Sequence, residues 1–521
     1  MPAARPSHPI LTCAEARAWE KQVLGDDPEK AWAAMQHAGA GIGAAMLRDY
    51  GQWRPLPRDP RVLVLAGPGH NGGDALLAAR EILRARPRGH ITAVLLEPLE
   101  KAKPLTQRAG AELAAHSGVE LISSAQFFPR LAGGETWDFT LAGLYGMGFR
   151  PPLPDAARAL ITAINDAPAA AGFRAAVDLP SGVGDETGDL AFRADFTYAT
   201  GIAKQPLFEK ANAQWAGRIR YLDLNFFAQD YNGPRAYAED ILRPEILHSL
   251  GRLRDATGDK RTYGHLLIIG GSRAYPGALM LNVLGALRAG AGLVTALTPF
   301  TLAPSFAAAR PEAMWRACPE EMDGSHSGGT LAAARELQAR VSAMLIGSGL
   351  GRSPATQAML PLLVKTCLRP LVLDADALMP KVLLAVAERP PEAGPVILTP
   401  HHGEFARLAG EGADLAEFCR KYKVITVLKG SVTRICDGTR TWCSTLGGPV
   451  LARGGSGDVL AGVIAALVAQ RAGEPMLAAA RGVVWHGLAA DALARARGDT
   501  AALTSELASH LPEALRDEWG H

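Results

Sequence analysis

The chain has 521 residues, too many for one ordinary domain, and 48% hydrophobic against 20% charged residues is enough core material for two soluble globular ones. A formal net charge of +2 argues against a polyanion-binding surface, so nucleic acid is not an expected partner. The opening MPAARPSHPI lacks the apolar stretch of a signal peptide and no apolar run is long enough to span a bilayer, which predicts a cytoplasmic protein with no membrane partner.

In chain order, residues 12–50 read as two helices. The second runs from Pro28 to Tyr50 and carries Trp32, Met35, Ala38, Ile42 and Met46 at helical spacing. Val62–Ala66 is a continuous apolar strand, Gly67–Asp74 a glycine-rich turn, and Ala75–Leu83 a helix. Strand, glycine turn and helix make the βα unit of an open parallel sheet, whose ligand crevice lies at the carboxyl ends of the strands. Further strands are expected at His90–Leu95, Asp138–Leu144, Arg174–Leu179, Ala194–Thr200 and Arg218–Leu222. Two of them end in polar or glycine turns, Gly143–Gly148 and Asp178–Gly182, so three loops converge on one crevice.

Asn225–Gly264, with Pro234, Pro244 and a polar run from Arg252 to Thr262, reads as the junction, holding a short helix near Arg243–Leu250. The second half restarts with a strand at His265–Gly270, a helix at Gly277–Gly290 and a strand at Gly292–Thr298. Strands at Ala343–Ile346, Leu371–Leu373, Val396–Leu398 and Ile425–Leu428 then run into Gly347–Gly351, Asp374–Asp376, Thr399–Glu404 and Lys429–Ser431. Thr433–Cys436 and Arg440–Ser444 flank Asp437-Gly438 as a hairpin. Gly454-Gly455-Ser456-Gly457-Asp458 opens an apolar helix. Its amides and dipole suit a phosphate or developing anion, and Asp458 adds a carboxylate at the same spot. An anion cradle beside a potential base suggests phosphoryl transfer to a hydroxyl; a plain helix-start turn would also use an Asp there. There is no GxxxxGK[ST], which disfavours a P-loop ATPase. His486 and Trp485 on the Pro475–Arg495 helix read as core residues. The six scattered cysteines form no CxxC pair, and free thiols are expected.

GGSGD, together with GHLLIIGGSRAYPGA, GSGLG, LDADAL, LTPHHGEF and VLKGSVT, resembles the ribokinase-like NAD(P)H-hydrate dehydratases. GPGHNGGDALLAAR with VDLPSG resembles the NAD(P)H-hydrate epimerase domain fused to them in bifunctional repair enzymes. The resemblance covers nearly all of both halves. It implies an N-terminal Rossmann-like three-layer α/β sandwich over residues 1–228 and a C-terminal ribokinase-like α/β sandwich with a mostly parallel sheet over 229–521. The implied chemistry is repair of NADH and NADPH hydrates. The first domain interconverts R and S forms, and the second dehydrates the S form with ADP, or ATP in some members, and Mg²⁺. Homo-oligomers are common in the family.

By resemblance, Asp458 is the base, and Lys429, Gly430, Ser431, Val432, Thr433, Gly455, Ser456 and Gly457 hold the nucleotide and its transferring phosphoryl. Ala278, Gly349, Gly351 and His401 line the hydrate pocket with Asp458. In the first half, His70, Asn71, Gly72, Gly73, Asp74, Gly146, Met147, Gly148 and Asp178 contact hydrate. The family's K⁺ sits on an Asn, an Asp and a Ser. Asn71 and Ser181 match two of these, but Ala142 stands at the carboxylate position, and Asp138 lies about 13 Å away along the strand. A methyl group neither binds K⁺ nor transfers a proton, so weak or absent epimerase activity is expected. The alternative is a kinase of a vitamin-precursor alcohol, with a non-catalytic first domain.

Overall fold

The computed structural model describes residues 5–516. The chain divides into two compact units, one of residues 8–241 and one of residues 242–516 with residues 5–7. Both are α/β with mostly parallel sheets, as the sequence predicts.

The first unit is built on a seven-stranded sheet in the order 119–123, 90–95, 61–66, 139–143, 173–177, 196–200, 218–222, parallel throughout. The period of two sorts its side chains. Val62, Val64 and Ala66 pack with Trp32, Ile42, Leu76 and Ala79 on one face, while Leu63 and Leu65 pack with Phe127, Leu160 and Ile161 on the other. Helices therefore cover both faces, giving three layers. Strand 61–66 lies between 90–95 and 139–143, so the strand order reverses there and the crevice opens beside residues 67–71 and 144–148.

Gly67–Asp74 is not a turn along its whole length. Helix His70–Ala85 begins inside it, with Gly69 at its cap, so Asn71 and Asp74 sit on the first helical turns. Two glycines there are steric requirements. A Cβ at Gly72 would stand 2.0 Å from the Gly67 carbonyl oxygen, and one at Gly73 would stand 2.8 Å from Met35 Sδ. The junction differs too: it holds a strand, Glu239–Leu242, and a short 3₁₀ turn, Pro244–Leu247, in place of the expected helix.

The second unit has a sheet ordered 314–318, 293–299, 265–269, 343–346, 371–373, 396–398, 425–428, 433–436, 441–444. The first seven strands are parallel and the final hairpin is antiparallel. Leu266 and Ile268 face one apolar layer with helices Pro276–Arg288, Ser456–Gln470 and Pro475–Ala501; Leu267 and Ile269 face the other. Strand 265–269 is again the point of reversal. The helices Pro276–Arg288 and Ser456–Gln470 approach backbone to backbone: a Cβ at Gly285 would meet the Val459 carbonyl oxygen at 2.4 Å, and one at Gly462 the Asn282 carbonyl oxygen at 2.2 Å.

Gly72→Ala should destabilise the first unit by about 1–3 kcal/mol, because the collision is with backbone that has nowhere to move. Denaturant unfolding followed by fluorescence checks it, and an unchanged midpoint would refute the steric role.

Candidate functional site

In the second unit four consecutive parallel strands deliver polar side chains to one carboxylate. Asp374, which follows strand Leu371–Leu373, is 2% exposed. Its oxygens accept from Ser348 Oγ at 3.2 Å, from Thr399 Oγ1 at 2.6 Å and from Lys429 Nζ at 3.2 Å. These donors follow strands 343–346, 396–398 and 425–428.

The Lys429 ammonium then reaches the glycine loop, where a Cβ at Gly457 would stand only 3.0 Å from Nζ. Gly455 has φ +92, and a Cβ there would meet Leu281 at 2.4 Å, so this turn admits only glycine. The helix begins at Ser456, and the amides of Gly457 and Asp458 have no carbonyl behind them within the helix. The loop is braced from outside. Ser456 Oγ donates to the Leu451 carbonyl at 2.6 Å, Thr504 Oγ1 to the Gly454 carbonyl at 3.0 Å, and Asn282 Nδ2 to the Asp458 carbonyl at 2.7 Å. His486, buried as expected, lies 3.0 Å from the Ser456 carbonyl through Nε2.

Burial pushes the Asp458 carboxyl up to about 7, and the negative charge of Asp374 adds to the rise; the Ser348 hydroxyl and the Lys429 ammonium oppose it. A carboxyl poised at neutrality is matched to proton abstraction at physiological pH.

The other expected residues gather around this centre. Gly349 packs against helix Pro276–Arg288, where a Cβ would meet Ala278 Cβ at 2.9 Å. Gly351 donates its amide to Asp376 Oδ2 at 2.9 Å. His401 is exposed at the rim, and its ring caps the next helix by accepting from the Gly403 and Glu404 amides at 3.0 and 3.3 Å. Gly430, Ser431, Val432 and Thr433 form the tight loop after Lys429, closed by Thr433 Oγ1 donating to the Gly430 carbonyl at 3.3 Å. Ser348 and Thr399 do not stand out as site residues in the sequence, where the signal is a polar residue just after each strand; Asp374 and Asp376 read there either as hard oxygen donors within reach of Mg²⁺ or as a capped strand-to-helix turn.

The first unit holds a cavity of about 680 Å³ at its crevice. His70, Asn71, Asp74, Gly146, Met147, Gly148 and Asp178 line it, as expected. Gly72 and Gly73 do not. They are buried in helix packing, so their expected contact with hydrate is corrected to a scaffold role. Ala142 is absent from the lining as well; it is wholly buried in the apolar layer beneath the sheet.

The cavity wall also contains Glu20 and Lys204, which the sequence did not single out. Lys204 is 1% exposed and pairs with Asp178 Oδ1, while its Nζ also donates to the Thr200 carbonyl at 2.8 Å. Asp178 sits at φ +65, a conformation uncommon for anything but glycine. Thr200 holds it there, donating to Oδ1 through its amide at 3.3 Å and its hydroxyl at 3.2 Å. A non-glycine residue held in this region marks a constrained position. Asp74 and Glu20 make no side-chain hydrogen bond or ion pair with another described residue. Burial drives Asp74 well above the usual carboxylate range, with Asp178 and Glu20 adding to the rise, and burial raises Glu20 too. Two carboxyls of raised proton affinity therefore face the cavity beside an ion pair. Burial, with the Lys103 charge, lowers His70 and favours its neutral form.

Residues 266–513 match the family described as NAD(P)H-hydrate dehydratase, and residues 32–206 match the family described as YjeF-related protein N-terminus. The bifunctional NAD(P)H-hydrate repair enzyme Nnr of Gloeobacter violaceus is 36% identical over 485 residues, covering 89% of each chain. That of Moorella thermoacetica is 33% identical over 507 residues, covering 93% of this chain and 92% of its own. Among solved structures, an ADP/ATP-dependent NAD(P)H-hydrate dehydratase from Bacillus subtilis, co-crystallized with ATP/Mg²⁺, is 32% identical, covers 50% of this chain and 92% of its own, and has a TM-score of 0.44.

Two outcomes follow from the buried charges. Lys204→Met strands the Asp178 carboxylate and should cost about 3–5 kcal/mol in the first unit, whereas adding Asp178→Leu should recover much of the loss; equal melting of single and double variants would refute the pairing. Asp458, with a folded value of about 7 against an ordinary 3.8, contributes stability at low pH that is lost as pH rises between those values. Asp458→Asn should remove that loss, and parallel melting curves of wild type and variant from pH 4 to 8 would contradict it.

Proposed function

The chain belongs to the bifunctional NAD(P)H-hydrate repair enzymes, and from that membership we propose that its second unit dehydrates the S form of NADH and NADPH hydrates while its first unit interconverts the R and S forms. The observation that carries the dehydratase reading is the convergence of Asp458, Lys429 and the glycine-loop amides on one spot.

Hydroxide is a poor leaving group from the hydrated ring, and phosphorylation converts it into a good one. Asp458 takes the hydroxyl proton, and the freed oxygen attacks the terminal phosphorus of ADP, or of ATP, breaking its bridging P–O bond and releasing AMP, or ADP. The Gly457 and Asp458 amides and the Lys429 ammonium receive the charge on the transferring group. The ring nitrogen's electron pair then expels phosphate, a proton leaves the neighbouring carbon, and the dihydronicotinamide double bond returns. Lys429–Thr433 grips the nucleotide; Ala278, Gly349, Gly351 and His401 border the hydrate. Mg²⁺ would supply charge neutralisation on the nucleotide's phosphates. It needs no protein cage for this, and no group of three or more His, Cys, Asp or Glu suited to a metal occurs among the described residues.

The epimerase reading rests on the cavity's carboxyls. A protonated Asp74 or Glu20 can donate to the hydrate's hydroxyl, which leaves as water as the ring nitrogen supplies its electrons. Water adding to the opposite face returns the proton to the carboxylate, so the proton count closes. Ala142 does not reach the cavity, so the missing carboxylate there removes a cation ligand and no proton donor from the substrate's surroundings. A homo-oligomeric, cytoplasmic protein completes the proposal. Family membership across both halves disfavours the vitamin-precursor kinase.

Asp458→Asn should abolish ADP-dependent recovery of reduced-nicotinamide absorbance from S hydrate, a loss of at least about 10²-fold for removal of a general base. Near-normal turnover would refute the base assignment. In the wild type, kcat/KM should climb with pH and level off above about 7, where Asp458 is ionised; a flat profile from pH 5 to 8 would count against it. Chiral chromatography of R hydrate incubated with the protein tests the first unit, and no acceleration over the spontaneous rate would sink its epimerase role.

A further inference from the structure

The resemblance implies K⁺ on an Asn, an Asp and a Ser, and the residues present at that place do not fit the ion. Ala142 is wholly buried, paired across the sheet with Leu65 and Ala176, and it packs in one apolar cluster with Leu63, Leu144 and Phe192. The two matching side chains are already engaged with Tyr145, in the loop after strand 139–143. Asn71 Nδ2 donates to the Tyr145 carbonyl at 3.0 Å. Ser181, also wholly buried, accepts from the Tyr145 amide at 3.0 Å and donates to the same residue's carbonyl at 3.2 Å. Both backbone groups of Tyr145 are thus satisfied by side chains, one from the first turn of helix His70–Ala85 and one from the loop after strand 173–177. Neither Asn71 nor Ser181 is among the described buried polar atoms left without a partner.

A cation placed here would meet N–H and O–H hydrogens already aimed at the one available carbonyl. To share the Tyr145 carbonyl with it, Asn71 Nδ2 and Ser181 Oγ would have to give up the two hydrogen bonds they donate there. No carboxylate at position 142 would repay its dehydration, and burying an uncompensated charge costs several kcal/mol. The charge of Asp178, in the same loop as Ser181, is already matched by Lys204.

We propose that the Asn71–Tyr145–Ser181 clasp braces the loop 144–148 in this chain without a monovalent cation, standing where the family's K⁺ would be. The clasp is independent of turnover; only its consequence, cation-independent epimerisation, rests on the function proposed for the first unit.

The test uses the full chain. Crystals soaked in thallium(I) acetate, whose ion mimics K⁺, should show no anomalous peak among Asn71, Tyr145 and Ser181. Melting of the first unit should be the same in KCl and choline chloride, and Ser181→Ala should lower it equally in both salts. Ala142→Asp restores the carboxylate and should acquire both the thallium peak and stabilisation by KCl. A thallium peak at the clasp in the wild type overturns the proposal, as does a melting difference between the salts that Ser181→Ala abolishes. R-hydrate turnover that is equal in the two salts supports it, and turnover that requires KCl overturns it. Absence of turnover in both salts, with no thallium peak, refutes the epimerase reading and leaves the clasp supported.

Discussion

One carboxylate, that of Asp374, ties together the ends of four neighbouring strands. Its hydrogen-bond partners Ser348, Thr399 and Lys429 each follow a different strand, and Lys429 also reaches the glycine loop at Gly457. A buried carboxylate is tolerable only when its lone pairs are met, so the carboxylate and its three donors constrain one another. The raised affinity of Asp458 for its proton is a by-product of the same arrangement. A carboxyl set beside an existing anion in a half-buried place resists ionisation, and Lys429 is near enough to limit how far.

The first unit solves a related problem with different parts. Asp178 also follows a parallel strand and is also held by a lysine and a threonine. There the tie neutralises one carboxylate, while burial raises the proton affinity of two others, Asp74 and Glu20. The second unit thus holds a carboxyl near neutrality, and the first shifts its free carboxyls toward the protonated form. This division agrees with the chemistry proposed for each, abstraction of a hydroxyl proton in one case and protonation of a departing hydroxyl in the other.

Much of this was legible in the sequence. Central strands such as Val62–Ala66 and Ala343–Ile346 are covered on both faces, so they read as unbroken apolar runs with polar residues where they end. Two of the strands absent from the sequence reading, Val119–Ser123 and Met314–Cys318, lie at sheet edges, where Glu120 and Arg316 interrupt the apolar signature. The start of helix His70–Ala85 was hidden because Asn71, Gly72, Gly73 and Asp74 are turn-forming residue types, used here for close packing and polar display. Glu20 and Lys204 were invisible for another reason. A charged residue on an amphipathic helix or just past a strand looks like a surface residue until tertiary packing closes over it. Ala142 was noticed, but its meaning depended on the direction of one methyl group, which only the packed sheet determines.

The glycine contacts between helices Pro276–Arg288 and Ser456–Gln470 have a consequence for how this protein could be altered. Gly285 and Gly462 bring the two backbones together, and Asn282 bonds across to the carbonyl of Asp458 itself. The helix carrying Ala278 and the helix carrying Asp458 are therefore fastened as a single body, leaving little freedom to widen the space between them. New substrates would have to be accommodated by redrawing the loops at 270–275, 347–351 and 399–404, which can change length and composition without disturbing that joint. Libraries for altered specificity belong in those loops, and randomising the facing helix surfaces would chiefly yield chains that no longer pack.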